Sequence, residues 1–123
     1  MEYLCIDLWD KRVGIAYNHG PIAFPLEIIT RTNLISYIKK YIKEKPELHH
    51  IIVGLPYDLY GKDTKQLEKT QKFIEKLRDI FPDKEVIGHD ERFSSFEASR
   101  DFDDHRDDIA AQCILQSYID SIS

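Results

Sequence analysis

The hydrophobic period of this chain first changes near residue 33, and that change restricts the folds open to it. Ahead of it lie three short apolar runs, Tyr3 to Leu8, Val13 to Tyr17 and Ile22 to Ile29. Asn18-His19-Gly20-Pro21 is a strong turn signal between the last two. Three strands with such tight connections predict an antiparallel meander. Pro25 marks the third as an edge strand or the site of a bulge, because proline donates nothing to a ladder.

Beyond residue 33 the period lengthens. Leu34, Tyr37, Ile38, Tyr41 and Ile42 recur at helical spacing, with Asn33 as the candidate cap and Pro46 past the end. Ile51-Ile52-Val53 reads as a fully buried strand closed by Gly54-Leu55-Pro56. Asp63 and Gln66 have the spacing of a capping box. Leu67, Thr70, Phe73, Ile74, Leu77 and Phe81 then form one apolar stripe, stopped by Pro82. Glu85 to Gly88 predicts a short strand and Ile109 to Ile122 a terminal helix. The order β-β-β-α-β-α-β-α predicts an α/β fold with a mixed five-stranded sheet and helices packed on its faces. It is not a dinucleotide-binding pattern, since the first strand enters a hairpin and no GxGxxG follows.

At 123 residues the expectation is a single domain spanning 1–123. No apolar run approaches the roughly 20 residues of a bilayer span, and the N-terminus does not read as a signal peptide. No membrane association is expected. Cys5 and Cys113 lie far apart in apolar segments, which suits buried thiols in a reducing compartment and points to the cytoplasm. The formal net charge is −5. Nucleic-acid binders usually carry a basic footprint. Either the substrate is not nucleic acid, or positive charge is supplied locally by a few side chains and by bound metal ions.

Three acids stand in positions that invite chemistry. Asp7 interrupts the first strand near its C-terminal end, where open α/β sheets place ligands. Asp90-Glu91-Arg92 follows the last strand. On the terminal helix, Asp107, Ala111, Ile114 and Tyr118 fall on one stripe with Leu115 and Ile122 flanking it. Asp108 lies on its shoulder, and Gln112, Gln116 and Asp120 lie opposite. Each acid also has a plain structural reading: a strand-end hydrogen-bond acceptor, a solvated turn and a helix N-terminal charge, respectively. Converging carboxylates with few basic partners are how hard divalent cations are held, and such ions activate water in phosphodiester hydrolysis.

Four segments then resemble one family. Asp7-Leu8-Trp9-Asp10-Lys11-Arg12-Val13-Gly14-Ile15-Ala16 is similar to the opening motif D-x-G-x-x-R-[IV]-G-x-A of the YqgF/RuvX-like family. Ile52-Val53-Gly54-Leu55-Pro56 with Gly61 resembles its VVGLP…G segment. Asp90-Glu91-Arg92-Phe93-Ser94-Ser95 resembles DERLTT, and the stretch from Asp107 to Tyr118 resembles D-x-x-AA-x-x-ILQ-x-Y. The resemblance covers nearly the whole chain. It implies an RNase H-like fold and metal-dependent phosphodiester cleavage, with Mg2+ or Mn2+ as cofactor. It also implies a role in maturing the 5′ end of 16S ribosomal RNA, so precursor rRNA is the expected nucleic-acid partner.

Asp7, Glu91 and Asp107 are the implied catalytic and metal-binding set, and Lys11, Arg12 and Arg92 the implied phosphate contacts. A monomer or weak dimer is expected. Trp9 stands where the family has glycine, and the segment before Asp107 is short and lacks the family's basic loop. These departures keep two alternatives open: a DNA endonuclease resembling Holliday-junction resolvases, or an inactive nucleic-acid- or protein-binding module of the same fold. An actin-like ATPase is disfavoured, because that fold needs two such domains.

The remaining features have structural readings. His19, His49, His50, His89 and His105 show no ligand spacing, and His89 reads as a strand-end surface residue. Trp9 and Tyr57 suit either base stacking or packing. Tyr3, Tyr37, Tyr41 and Tyr118 fit the core periodicities, and the lysines between Lys62 and Lys76 form a solvated face.

Overall fold

The computed structural model describes residues 1–9, 11–56, 64–90 and 107–122. Its elements are β1 (Tyr3–Leu8), β2 (Arg12–His19), β3 (Ile22–Thr30), a 3-10 turn (Arg31–Asn33) and α1 (Leu34–Glu44). They continue with β4 (His50–Leu55), α2 (Lys65–Ile80), β5 (Glu85–Asp90) and α3 (Asp107–Ile122). The five strands form one sheet in the order β3-β2-β1-β4-β5. β1, β2 and β3 pair antiparallel, whereas β4 lies parallel to β1 and β5 parallel to β4. The mixed sheet and the order of elements are those the sequence predicts.

Local chemistry explains the joints. Gly20 takes a φ of 59° in the β2–β3 turn, a conformation glycine enters without steric cost. Glu27 pairs with Ile15 and Pro25 with Ala16, so Leu26 is an extra residue bulging from β3. Pro25 therefore occupies both an edge strand and a bulge. Asn18 is buried at the same end, where its Oδ1 accepts from the Tyr3 amide at 2.7 Å and its Nδ2 donates to Met1 and Gly20 carbonyls.

Strand alternation sends side chains to two different layers. Leu4, Ile6 and Leu8 of β1, with Val13, Ile15, Ile51 and Val53, pack under α1 and α2 beside Leu34, Ile38, Phe73, Ile74 and Leu77. Tyr3, Cys5, Ala16, Ala23 and Ile52 face the other way and meet Ala111, Ile114, Leu115 and Ile119 of α3. The tyrosines of α1 are half-buried against the first layer, and the Tyr37 hydroxyl donates to Glu27 at 2.8 Å.

Several details differ from expectation at helix ends. α2 is capped by Thr64, whose Oγ1 accepts from the Leu67 amide at 3.1 Å. Asp63 lies outside the described residues. Gln66 follows Thr64 by two residues, one short of the position from which it could close a capping box, and its Nε2 donates to the Leu8 carbonyl at 3.1 Å. Asn33 precedes α1 but makes no side-chain cap, because the 3-10 turn already carries helical geometry into it. The Leu34 amide is satisfied by the Arg31 carbonyl instead.

In α3, Ala111, Ile114 and Leu115 are buried as expected and Tyr118 is half-buried. Ile122 is 55% exposed, having run past the sheet, and Ile119 takes the flanking place. Gln112 and Gln116 do not face away. Gln116 accepts from the Ala23 amide at 2.9 Å and donates to Pro21, while Gln112 donates to the Ala23 carbonyl at 3.0 Å. An edge strand has outward backbone groups without ladder partners, and these two amides satisfy them.

Candidate nuclease site

The site is built from the end of β1. Tyr3, Cys5 and Asp7 alternate onto the α3 face, and Asp7 is the last of them within the strand. It is 2% exposed. A buried carboxylate needs hydrogen bonds or a cation to offset its lost hydration. One partner is Trp9, whose indole Nε1 donates to Asp7 Oδ2 at 2.9 Å.

Small residues surround Asp7 on this face. Gly14 of β2 stands opposite it in the ladder. On the other side Ile6 pairs with Val53, so Gly54 comes next along β4, and Gly54 in turn pairs with His89 of β5. One row down, the same face carries Ala16, Cys5, Ile52 and Ile87. The C-terminal ends of the three parallel strands thus bring Asp7, Gly54 and His89 to one level of the sheet.

The turn after β1 is laced shut. The Trp9 amide donates to the Arg12 carbonyl at 3.0 Å, and the Arg31 amide donates to the Lys11 carbonyl at 3.0 Å. The Arg31 guanidinium also reaches the Trp9 carbonyl at 3.3 Å. Lys11 and Arg12 are exposed, and together with Trp9 they line one surface pocket. The structure therefore gathers Asp7, Lys11 and Arg12 around a single turn. No residue other than glycine has a positive φ among the described residues, so Trp9 replaces the family's glycine without backbone strain.

The other expected site residues are less fully placed. Asp90 ends β5 beside Leu55, whereas Glu91 and Arg92 lie outside the described residues. Asp107 opens α3, and its side chain likewise lies outside them. α3 rests on the same face as Asp7. Its C-terminal half lies by the start of β1, where the Tyr118 ring meets Tyr3 edge-on at 5.5 Å. Among the described residues no three acidic, histidine or cysteine side chains form a ready metal set. No helix there is long and apolar enough to cross a membrane.

His89 is not a surface histidine. It is half-buried between β5 and α3, within 3.1 Å of Ser117 Oγ and edge-on to Tyr118 at 5.5 Å. Burial lowers its pKa, with the charge of Asp90 pulling the other way. The hydrogen bond from Trp9 to Asp7 was also not foreseen. Its signal was available: residues two apart along an extended segment point to one side.

Known proteins share this arrangement of sequence. The family model described as RuvX, Holliday junction resolvase, matches residues 1–121. A protein of Fusobacterium nucleatum named "Putative pre-16S rRNA nuclease" is 34% identical, covering 97% of this chain and 96% of its own length. One of the same name from Acetivibrio thermocellus is 36% identical, covering 98% and 96%. A solved chain, YeaZ from Pseudomonas aeruginosa, aligns at a TM-score of 0.46 with 14% identity, over 81% of this chain and 48% of that one. With a full-length family match and relatives above 30% identity from end to end, this chain belongs to the RuvX family.

Proposed function

We propose that this protein is a divalent-metal-dependent nuclease that hydrolyses phosphodiester bonds in precursor 16S rRNA in the cytoplasm. The observation that carries the reading is Asp7, a carboxylate buried among glycines at the C-terminal edge of the parallel strands, with Lys11 and Arg12 on the next turn. The names of the relatives point to the same substrate.

The donor chemistry fits a hard cation. Asp7 offers carboxylate oxygen on a face whose neighbours in the row are small. The sequence supplies two more acids, Glu91 directly after β5 and Asp107 at the start of α3. Ile87 and His89 are the α3-facing residues of β5, which ends at Asp90. Asp107 precedes Tyr118 by eleven residues, which a helix spans in roughly 16 Å. From Tyr3 to Asp7 the strand rises roughly 13 Å. A helix whose Tyr118 lies against Tyr3 thus has the length to bring Asp107 to the level of Asp7.

In this reading Asp7, Glu91 and Asp107 would hold Mg2+ or Mn2+. Such ions supply an activated water and stabilise the leaving oxygen. The protein's own part is positioning. Trp9 fixes one oxygen of Asp7, while Lys11, Arg12 and Arg92 grip the non-bridging phosphate oxygens and neutralise charge gathering there. Local cations do this in a chain whose net charge is −5.

The family description favours a second substrate, the four-way DNA junction. Both are tested together: 5′-extended 16S precursor and a junction, each with magnesium, manganese or EDTA, beside Asp7→Asn. Metal-dependent cutting of the precursor that the variant lacks supports the proposal. Cutting of the junction alone reassigns the substrate, and a folded protein that cuts neither is a binding module.

A further inference from the structure

We infer that Trp9 is a stacking platform for an unpaired nucleobase, fixed beside the reacting phosphate by its hydrogen bond to Asp7. The substrate class is single-stranded nucleic acid. The inference deepens the nuclease reading and rests on it in one respect, that the strand held at Trp9 is the strand the Asp7 site cuts.

Three observations carry it. The indole is oriented, since its Nε1 edge donates to Asp7 Oδ2 at 2.9 Å. Its backbone is held on both sides, the amide by the Arg12 carbonyl and the carbonyl by the Arg31 guanidinium. Yet the residue remains 37% exposed and shares a pocket with Lys11 and Arg12. A tryptophan held by its edge, with surface left over and two cations alongside, has the parts of a base-and-phosphate subsite.

An unpaired base offers a free face to such a ring, and stacking of this kind tolerates any base. A base inside a duplex is already stacked on its neighbours and must be extruded first. The platform therefore discriminates single strands from duplexes near the scissile bond. The family glycine could not do this, having no side chain. Local aromatic stacking also compensates for the basic loop this chain lacks.

Trp9 is the sole tryptophan of the chain, so its emission reports on this ring alone. The experiment titrates the protein in EDTA with a short oligouridylate, its deoxy counterpart, the matching RNA duplex and an abasic strand. Quenching by the single strands and much weaker quenching by duplex and abasic strand is expected. The two sugars separate RNA from DNA. Anisotropy with a labelled strand then compares variants. Trp9→Leu is expected to weaken single-strand binding on the order of 10-fold, whereas Trp9→Phe, which keeps a ring face, retains most of it. Equal quenching by the abasic strand, or unchanged binding in Trp9→Leu, overturns the platform. Because no metal is present, a protein that fails to cut but shows the quench sinks only the nuclease reading. Cleavage of single strands without the quench sinks only the platform.

Discussion

The two faces of the sheet are made of different material. Toward α1 and α2, the central strands present Leu4, Ile6 and Leu8, Val13 and Ile15, Ile51 and Val53. Toward α3, the same strands present Tyr3, Cys5 and Asp7, Gly14 and Ala16, Ile52 and Gly54. The first series is large and apolar throughout. The second shrinks and turns polar toward the C-terminal ends of the parallel strands, until Asp7 stands in a row with glycines and His89. Dense apolar packing on one face leaves the other free to hold a carboxylate that contributes little to the core.

Neighbouring residues on opposite faces give the sharpest way to break this contrast. Ile6→Ala should destabilise the protein by about 2–5 kcal/mol, measured by chemical denaturation, because it opens a cavity under α1 and α2. Asp7→Asn should change stability by less than about 1 kcal/mol, since an amide oxygen can still accept from Trp9, while removing metal-dependent cleavage. Comparable losses in both variants would mean that Asp7 is structural.

Smaller effects sharpen the picture. Gln116→Ala leaves the Ala23 amide without its acceptor and should cost about 1–3 kcal/mol, with faster hydrogen exchange at Ala23. Thr64→Ala should cost about 1 kcal/mol through the lost cap of α2, measured by chemical denaturation. The smallest effect is alkaline. Burial, with the hydrogen bond to Glu27 and its charge, raises the Tyr37 pKa above its ordinary value near 10. A raised folded-state pKa contributes stability that is full below the unfolded value and is lost as pH rises past it. Thermal melts above pH 10 should therefore fall less steeply for Tyr37→Phe than for the wild type.

Much of this was legible because strands have a rigid period. Alternation in Tyr3 to Leu8 set Asp7 apart from its apolar neighbours, and Pro25 announced an edge and a bulge. What escaped reading depended on contacts between distant segments. Gln112 and Gln116 look like a solvent face on a helical wheel, yet they pair with the exposed backbone of β3. Ile122 looks like core, but the helix outruns the sheet. Trp9 stands where the family has glycine, and closure of the turn through Arg12 and Arg31 shows how it is accommodated. In the candidate site, motif order pointed to three acids, of which the described residues fully place Asp7.

The glutamine clasp on β3 has a bearing on how copies of this chain behave in company. Ile22, Phe24, Leu26 and Ile28 are all exposed along that outer strand, a greasy border of the kind that recruits strands from other molecules. The Pro25 bulge interrupts the border midway, and Gln112 and Gln116 close its first residues. Detachment of α3 would leave the bulge and the charge of Glu27 as protection. The helix that opens with Asp107 thus also serves as a guard against aggregation, and damage to it would show first as misassembled protein.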